Sequence, residues 1–209
     1  MKRIFFVSIL TLMMAGCASV EVTRKASFLS EDFNNQIQRN ITMVSLIDVR
    51  PDKEKDIEKV LLNRNVRSYF MSSPLEAKGY KVQLFDTDTS RCASLVDINP
   101  NEFTCLDNTV FQNGDLFLLV SIDQYIAPKA MHVIGHTKIT GVMYSKSLNS
   151  FIWKDTIEGD YGGTGSAYSG LGGFVGMLTL KAMSQDLILR NNVYTAVSEL
   201  FKSIPPYKR

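Results

Sequence analysis

Histidine and cysteine, on which much acid–base, nucleophilic and metal chemistry rests, are scarce in this chain of 209 residues: two and three respectively, with one tryptophan. No stretch approaches the roughly 20 apolar residues that a membrane-crossing helix needs. Phosphate-cradling patterns are missing too. There is no G-x-x-x-x-G-K-[ST], and a G-x-G-x-x-G would need glycine at 168 or 175, where Tyr168 and Val175 stand. Nor does a G-x-S-x-G elbow present a nucleophilic serine. These absences leave little room for an enzyme or a cofactor, and none of either is expected.

What is present begins at the N-terminus. Lys2 and Arg3 precede a largely apolar run from Ile4 to Met14, broken only by Ser8 and Thr11. The run is too short to span a bilayer but suits the h-region of a signal peptide. It closes on Leu12-Met13-Met14-Ala15-Gly16-Cys17, which resembles the bacterial lipobox, with Met14 where leucine is usual. Cleavage before a lipidated Cys17 would leave a membrane anchor of several acyl chains, and stable anchoring needs at least two membrane signals. Ala18 and Ser19 follow with no aspartate, so the retention signal for the inner membrane is missing. The expectation is a lipid-anchored protein on the periplasmic face of the outer membrane. Removing residues 1–16 takes away two of the 23 basic groups and leaves 21 against 21 acidic ones. A neutral mature chain offers no electrostatic reason to bind nucleic acid.

The expected organisation is a signal peptide over 1–16, a lipidated tether over 17–40 and one domain over 41–209. Within that domain, 41–49 reads as a buried strand, 57–70 as a helix and 80–85 as a second strand, which together predict an opening βαβ unit. Ser73 and Glu76 form a capping-box pattern around Pro74, and Gly79 is placed to end a helical turn. Residues 115–125 read as a central strand. The segments 133–144 and 150–158 flank Lys146-Ser147-Leu148-Asn149 as an antiparallel hairpin. Trp153 alternates with polar neighbours, as a core residue of such a hairpin does. A terminal amphipathic helix places Val193, Tyr194, Val197, Leu200 and Phe201 on one face. The predicted fold class is therefore α/β (α+β), a mixed sheet with packed helices. Cys92 and Cys105, separated by twelve intervening residues in an oxidising compartment, are expected to form a disulfide that contributes about 3 kcal/mol.

Eight of the thirteen glycines fall between 159 and 183. There Leu171 to Leu180 is apolar apart from Thr179, and Gly172 with Gly176 has the small-residue spacing that lets backbones approach closely. Gly170, Gly172, Gly173 and Gly176 thus mark a candidate interaction arm, packed on its own domain, on another subunit or on a membrane.

Other candidate chemistry is thin. His132 and His136 lie four apart and share a strand face, but no third metal ligand is evident, so no metal site is expected. Asp48 and Asp52 flank the end of the first strand, where open sheets place ligands, although turn and capping roles explain both. Ser72 and Ser73 have no partnered histidine nearby.

The lipobox, the segment Ser73-Pro74-Leu75-Glu76-Ala77-Lys78-Gly79-Tyr80, the hairpin end Ser150-Phe151-Ile152-Trp153-Lys154-Asp155 and Gly170-Leu171-Gly172-Gly173-Phe174-Val175-Gly176 carry a resemblance. Over residues 40–204 the chain resembles the uncharacterised bacterial lipoproteins whose α/β domain is similar to the N-terminal domain of TolB and to the curli-secretion lipoprotein. The loop 86–110 departs from that group. The resemblance implies an accessory of envelope assembly or export, oligomeric with itself or working with other envelope lipoproteins, and not an enzyme. The competing expectation is a periplasmic module that binds a small ligand or glycan near Asp48 and Asp52.

Overall fold

The computed structural model describes residues 22–50, 71–87, 92, 95–96, 109–126, 134–162 and 185–208, apart from single positions 32, 37, 45, 86 and 113. Among them, seven strands make one mixed sheet. They are β1 (Val22–Leu29), β2 (Asn40–Val44), β3 (Ile47–Asp48), β4 (Lys81–Phe85), β5 (Leu116–Ile126), β6 (Ile134–Ser145) and β7 (Ser150–Gly162). Their spatial order is β1-β7-β6-β5-β2-β4, with β3 beside β5. A four-residue helix α1 (Phe33–Gln36), a 3₁₀ turn (Val110–Gln112) and the 17-residue helix α2 (Gln185–Phe201) accompany the sheet.

This corrects the expected fold class. The described residues are mainly β, and they do not open on a βαβ unit of a layered α/β domain. The first element is β1, inside the segment read as a tether, and it pairs antiparallel with β7 at the edge of the sheet. The largest part of the sheet is the antiparallel set β5, β6 and β7, of 11, 12 and 13 residues. β2 runs parallel to both its neighbours, β4 and β5. The helix expected at 57–70 lies outside the described residues.

The sheet buries two faces by different means. On one, α2 lays Leu189, Val193, Tyr194, Ala196, Val197, Leu200 and Phe201 against Ile122, Ile139, Trp153 and Ile157. Trp153 is 1% exposed, so its core role holds, and its indole Nε1 donates to Ser203 Oγ at 3.2 Å. Burying one such aromatic contributes about 2–3 kcal/mol. The opposite face carries no described α-helix, only the 3₁₀ turn Val110–Gln112. Cys92, Leu95, Val110 and Phe111, from the long excursion between β4 and β5, cover Phe117, Leu119, Val142 and Tyr144. Phe111 sits edge-on to Phe117 and Tyr144, with ring centroids 5.1 and 6.4 Å away.

The C-terminus is tied down by polar contacts. The helical residues 71–76 end at Gly79, whose φ of 92° is cheap only without a Cβ. Tyr80 N donates to Leu75 O at 3.2 Å and Gly79 N to Glu76 O at 2.9 Å, a Schellman ending. That turn aims Lys78 Nζ at the carbonyls of Phe201 (2.8 Å), Lys202 (3.0 Å) and Ile204, beyond the last turn of α2. A cation there satisfies orphan carbonyls and opposes the negative end of the helix dipole. Burial, with Arg24 nearby, lowers the Lys78 ammonium below its ordinary pKa. Tyr80 reinforces the clamp by donating its hydroxyl to Pro205 O at 2.7 Å.

Candidate functional site

Strand register brings four strand ends to one rim of the sheet. Ile126 of β5 lies opposite His136 of β6, and His136 opposite Asp160 of β7; Ile134 pairs with Gly162, and Val22 at the start of β1 pairs with Gly159. A charged cluster follows from this register. Side chains alternate across a strand, so His136 and Lys138 share a face with their partners Asp160 and Glu158. The imidazole is gripped at both nitrogens, Nδ1 2.9 Å from Asp160 Oδ1 and Nε2 3.1 Å from Glu158 Oε1. Lys25 Nζ stands 3.6 Å from Glu158 Oε2. For Glu158, burial raises the pKa, but the hydrogen bond from His136 and the charges of Lys25, His136 and Lys138 outweigh it, and the carboxyl falls below its ordinary value. Glu158 and Asp160 were not singled out in the sequence, although their two-residue spacing on a strand opposite His136 carried the signal.

Further along the same face lies a hydroxyl–carboxylate network. Asp123 accepts from Ser121 Oγ at 2.8 Å and from Thr140 Oγ1 at 2.6 Å, and Thr140 in turn meets Thr156 at 3.0 Å. Leu95 N donates to Ser121 Oγ at 3.4 Å, and Lys154 Nζ reaches the Val96 carbonyl. These bonds pin the excursion after β4 onto the sheet, so their polarity is explained by structure.

The residues singled out in the sequence fare unevenly. Asp48 ends β3, and its carboxylate is clamped by Arg50 through Nε at 2.8 Å and Nη2 at 2.8 Å. Arg50 N also donates to Asp48 Oδ1 at 3.2 Å, closing an Asx-type turn. That occupies the carboxylate in a turn role, and Asp52 lies outside the described residues. Ser72 is buried and Ser73 half-buried on the helical turn before Gly79. Cys92 is buried in the cluster under the excursion. Cys17, Cys105, His132, Gly170, Gly172, Gly173 and Gly176 lie outside the described residues. Among the described residues no group of three or more His, Cys, Asp or Glu is arranged to hold a metal ion, and no helix is long and apolar enough to cross a membrane.

Known proteins give only distant likenesses. No family model matches the chain, and no curated protein does. Among solved structures it is similar to the PelC dodecamer from Paraburkholderia phytofirmans, at 10% identity and a TM-score of 0.46, covering 91% of this chain and 99% of that one. It is also similar to the lipoprotein GNA1162 from Neisseria meningitidis, at 15% identity and a TM-score of 0.33, covering 69% and 95%. A third is the hypothetical protein CT253 from Chlamydia trachomatis, at 10% identity and a TM-score of 0.38, covering 79% and 99%. The narrower likeness to TolB and the curli-secretion lipoprotein rests on sequence motifs alone. Scores and identities this low carry no argument about activity or assembly.

Proposed function

We propose that this chain is a non-enzymatic, lipid-anchored protein of the bacterial envelope, held through Cys17 on the periplasmic face of the outer membrane. In this reading it serves as an accessory of an export or surface-assembly complex. The observation that carries it is the order Lys2-Arg3, apolar run, Ala15-Gly16-Cys17, which has the parts a lipoprotein signal needs. The described polar groups bond mainly to one another. The imidazole of His136 lies between two carboxylates, Asp48 is engaged by Arg50 in its own turn, and Asp123 by Ser121 of its own strand and Thr140 of β6. Its partners would be the membrane, other envelope lipoproteins or further copies of itself.

Two measurements test the reading. Metabolic labelling with palmitate should mark the wild type and leave Cys17→Ser unmarked; an unlabelled wild type refutes the anchor. Recovery from crosslinked membranes should bring down envelope proteins or additional copies of the chain. A bare monomer in every such preparation refutes the accessory role.

A further inference from the structure

The sheet begins only five residues after the cysteine that would carry the lipid. Five Cα steps span at most about 19 Å, because consecutive Cα atoms are 3.8 Å apart. β1 itself has eight residues and, at about 3.4 Å each, runs roughly 24 Å from Val22 to Leu29. With the Leu29 end on the membrane, Val22 would stand farther from the lipid than the connection reaches. The connection therefore admits orientations that keep Val22 low and excludes the inverted one.

We infer that the rim formed by the start of β1, the end of β5, the start of β6 and the end of β7 faces the lipid surface, as the membrane-contacting side of the domain. This rests on Cys17 being lipidated. The rim has the chemistry for it. Ile126 is 46% exposed at the tip of β5, an apolar group at the level where acyl chains meet headgroups. Beside it on β6 and β7 stand His136 with Asp160 and, one step inward, Lys138 with Glu158, which Lys25 of β1 meets; the side chains of Lys25 and Asp160 are 53% and 67% exposed. Both signs on one edge complement a phosphatidylethanolamine layer, which presents ammonium and phosphate together. The opposite end, at the turn Lys146 to Asn149, lies about 40 Å away along the 12 residues of β6 and faces the periplasm.

The test uses the full chain expressed in its envelope, with a benzophenone amino acid placed at one exposed position at a time: 126 on the rim, 148 at the far turn and 28 near the far end of β1. All three native side chains are 41–49% exposed, so replacing them does not threaten the core. After irradiation, position 126 should give about five-fold or more lipid adduct than 148 or 28, since the rim is the end that the connection holds near the lipid. Palmitate labelling is read on the same samples. Labelled protein with equal adducts at all three positions, or more at 28 or 148, overturns the orientation and leaves the anchor standing. Unlabelled protein overturns both.

Discussion

Gly141 is a position where one methyl group should be costly. It lies in the middle of β6 on the face that α2 covers, opposite Val120 and Asp155. A Cβ built there would stand 2.8 Å from Cη2 and 2.9 Å from Cζ3 of Trp153, and 2.9 Å from Cδ2 of Leu200. Trp153 and Leu200 are almost wholly buried, and an indole is rigid, so the neighbours cannot swing into solvent. Overpacking a core by a methylene costs about 1–3 kcal/mol, and removing glycine from a strand returns about 0.5–1 kcal/mol. The net expectation for Gly141→Ala is a loss of about 1–2 kcal/mol. With a urea slope of about 2 kcal/mol per molar for a domain this size, the midpoint should fall by about 0.5–1 M. The measurement is urea unfolding of Cys17→Ser protein, followed by Trp153 fluorescence. A double-mutant cycle sharpens it. Leu200→Ala alone should cost about 2–5 kcal/mol, but distinctly less in the Gly141→Ala background, where the shortened side chain relieves the clash. An unchanged or raised midpoint for Gly141→Ala would refute the close approach of indole, leucine and strand.

Arg24→Met removes the cation that meets the fully buried Asp155 from the edge strand, and should cost about 3 kcal/mol, the low end for a buried pair because Arg24 is part-exposed. Adding Asp155→Asn should recover part of the loss; no recovery in thermal unfolding would show that charge is not the cause. Glu158 has its pKa lowered below the ordinary 4.5, so the folded state holds its charged form and the stability it contributes is present above 4.5. That stability should be lost as pH falls from 4.5 through the lowered folded pKa, and Glu158→Gln should flatten this part of the profile; parallel wild-type and variant profiles count against the cluster. Cys17→Ser protein purified without reductant should show no free thiol when denatured, and reduction should lower stability by about 3 kcal/mol; two titratable thiols would refute the Cys92–Cys105 bond.

The strands that bury apolar side chains were legible. The run 116–122 is buried throughout, and the hairpin around Lys146 to Asn149 was readable from alternation and from Asn149, which adopts a φ of 49°. The terminal helix was legible for the same reason, since its apolar spacing matches the face that meets Trp153. Fold class was not legible, because a period reveals an element and not what covers it. One sheet face is closed by α2, the other by Cys92, Leu95, Val110 and Phe111 from a segment whose polar composition reads as a loop. The rim cluster was half legible. His136 stood out as a rare residue, whereas Glu158 and Asp160 gained meaning only once β7 was placed beside β6 in register.

β1 was the costliest omission, and its reason is general. An edge strand needs a partner for one set of backbone groups and little burial, so Thr23, Arg24, Lys25 and Ser27 give no apolar alternation to read. Its pairing even slips between Arg24 and Ala26, a bulge of the kind that blunts an exposed edge against further strands. Yet this weakly marked strand changes what the anchor can do. A tether of 24 residues would let the domain turn freely, with a root-mean-square reach near 27 Å for a flexible chain. With the sheet starting at Val22, the connection is shorter than β1 is long, so lipidation at Cys17 would set the domain's orientation as well as its location.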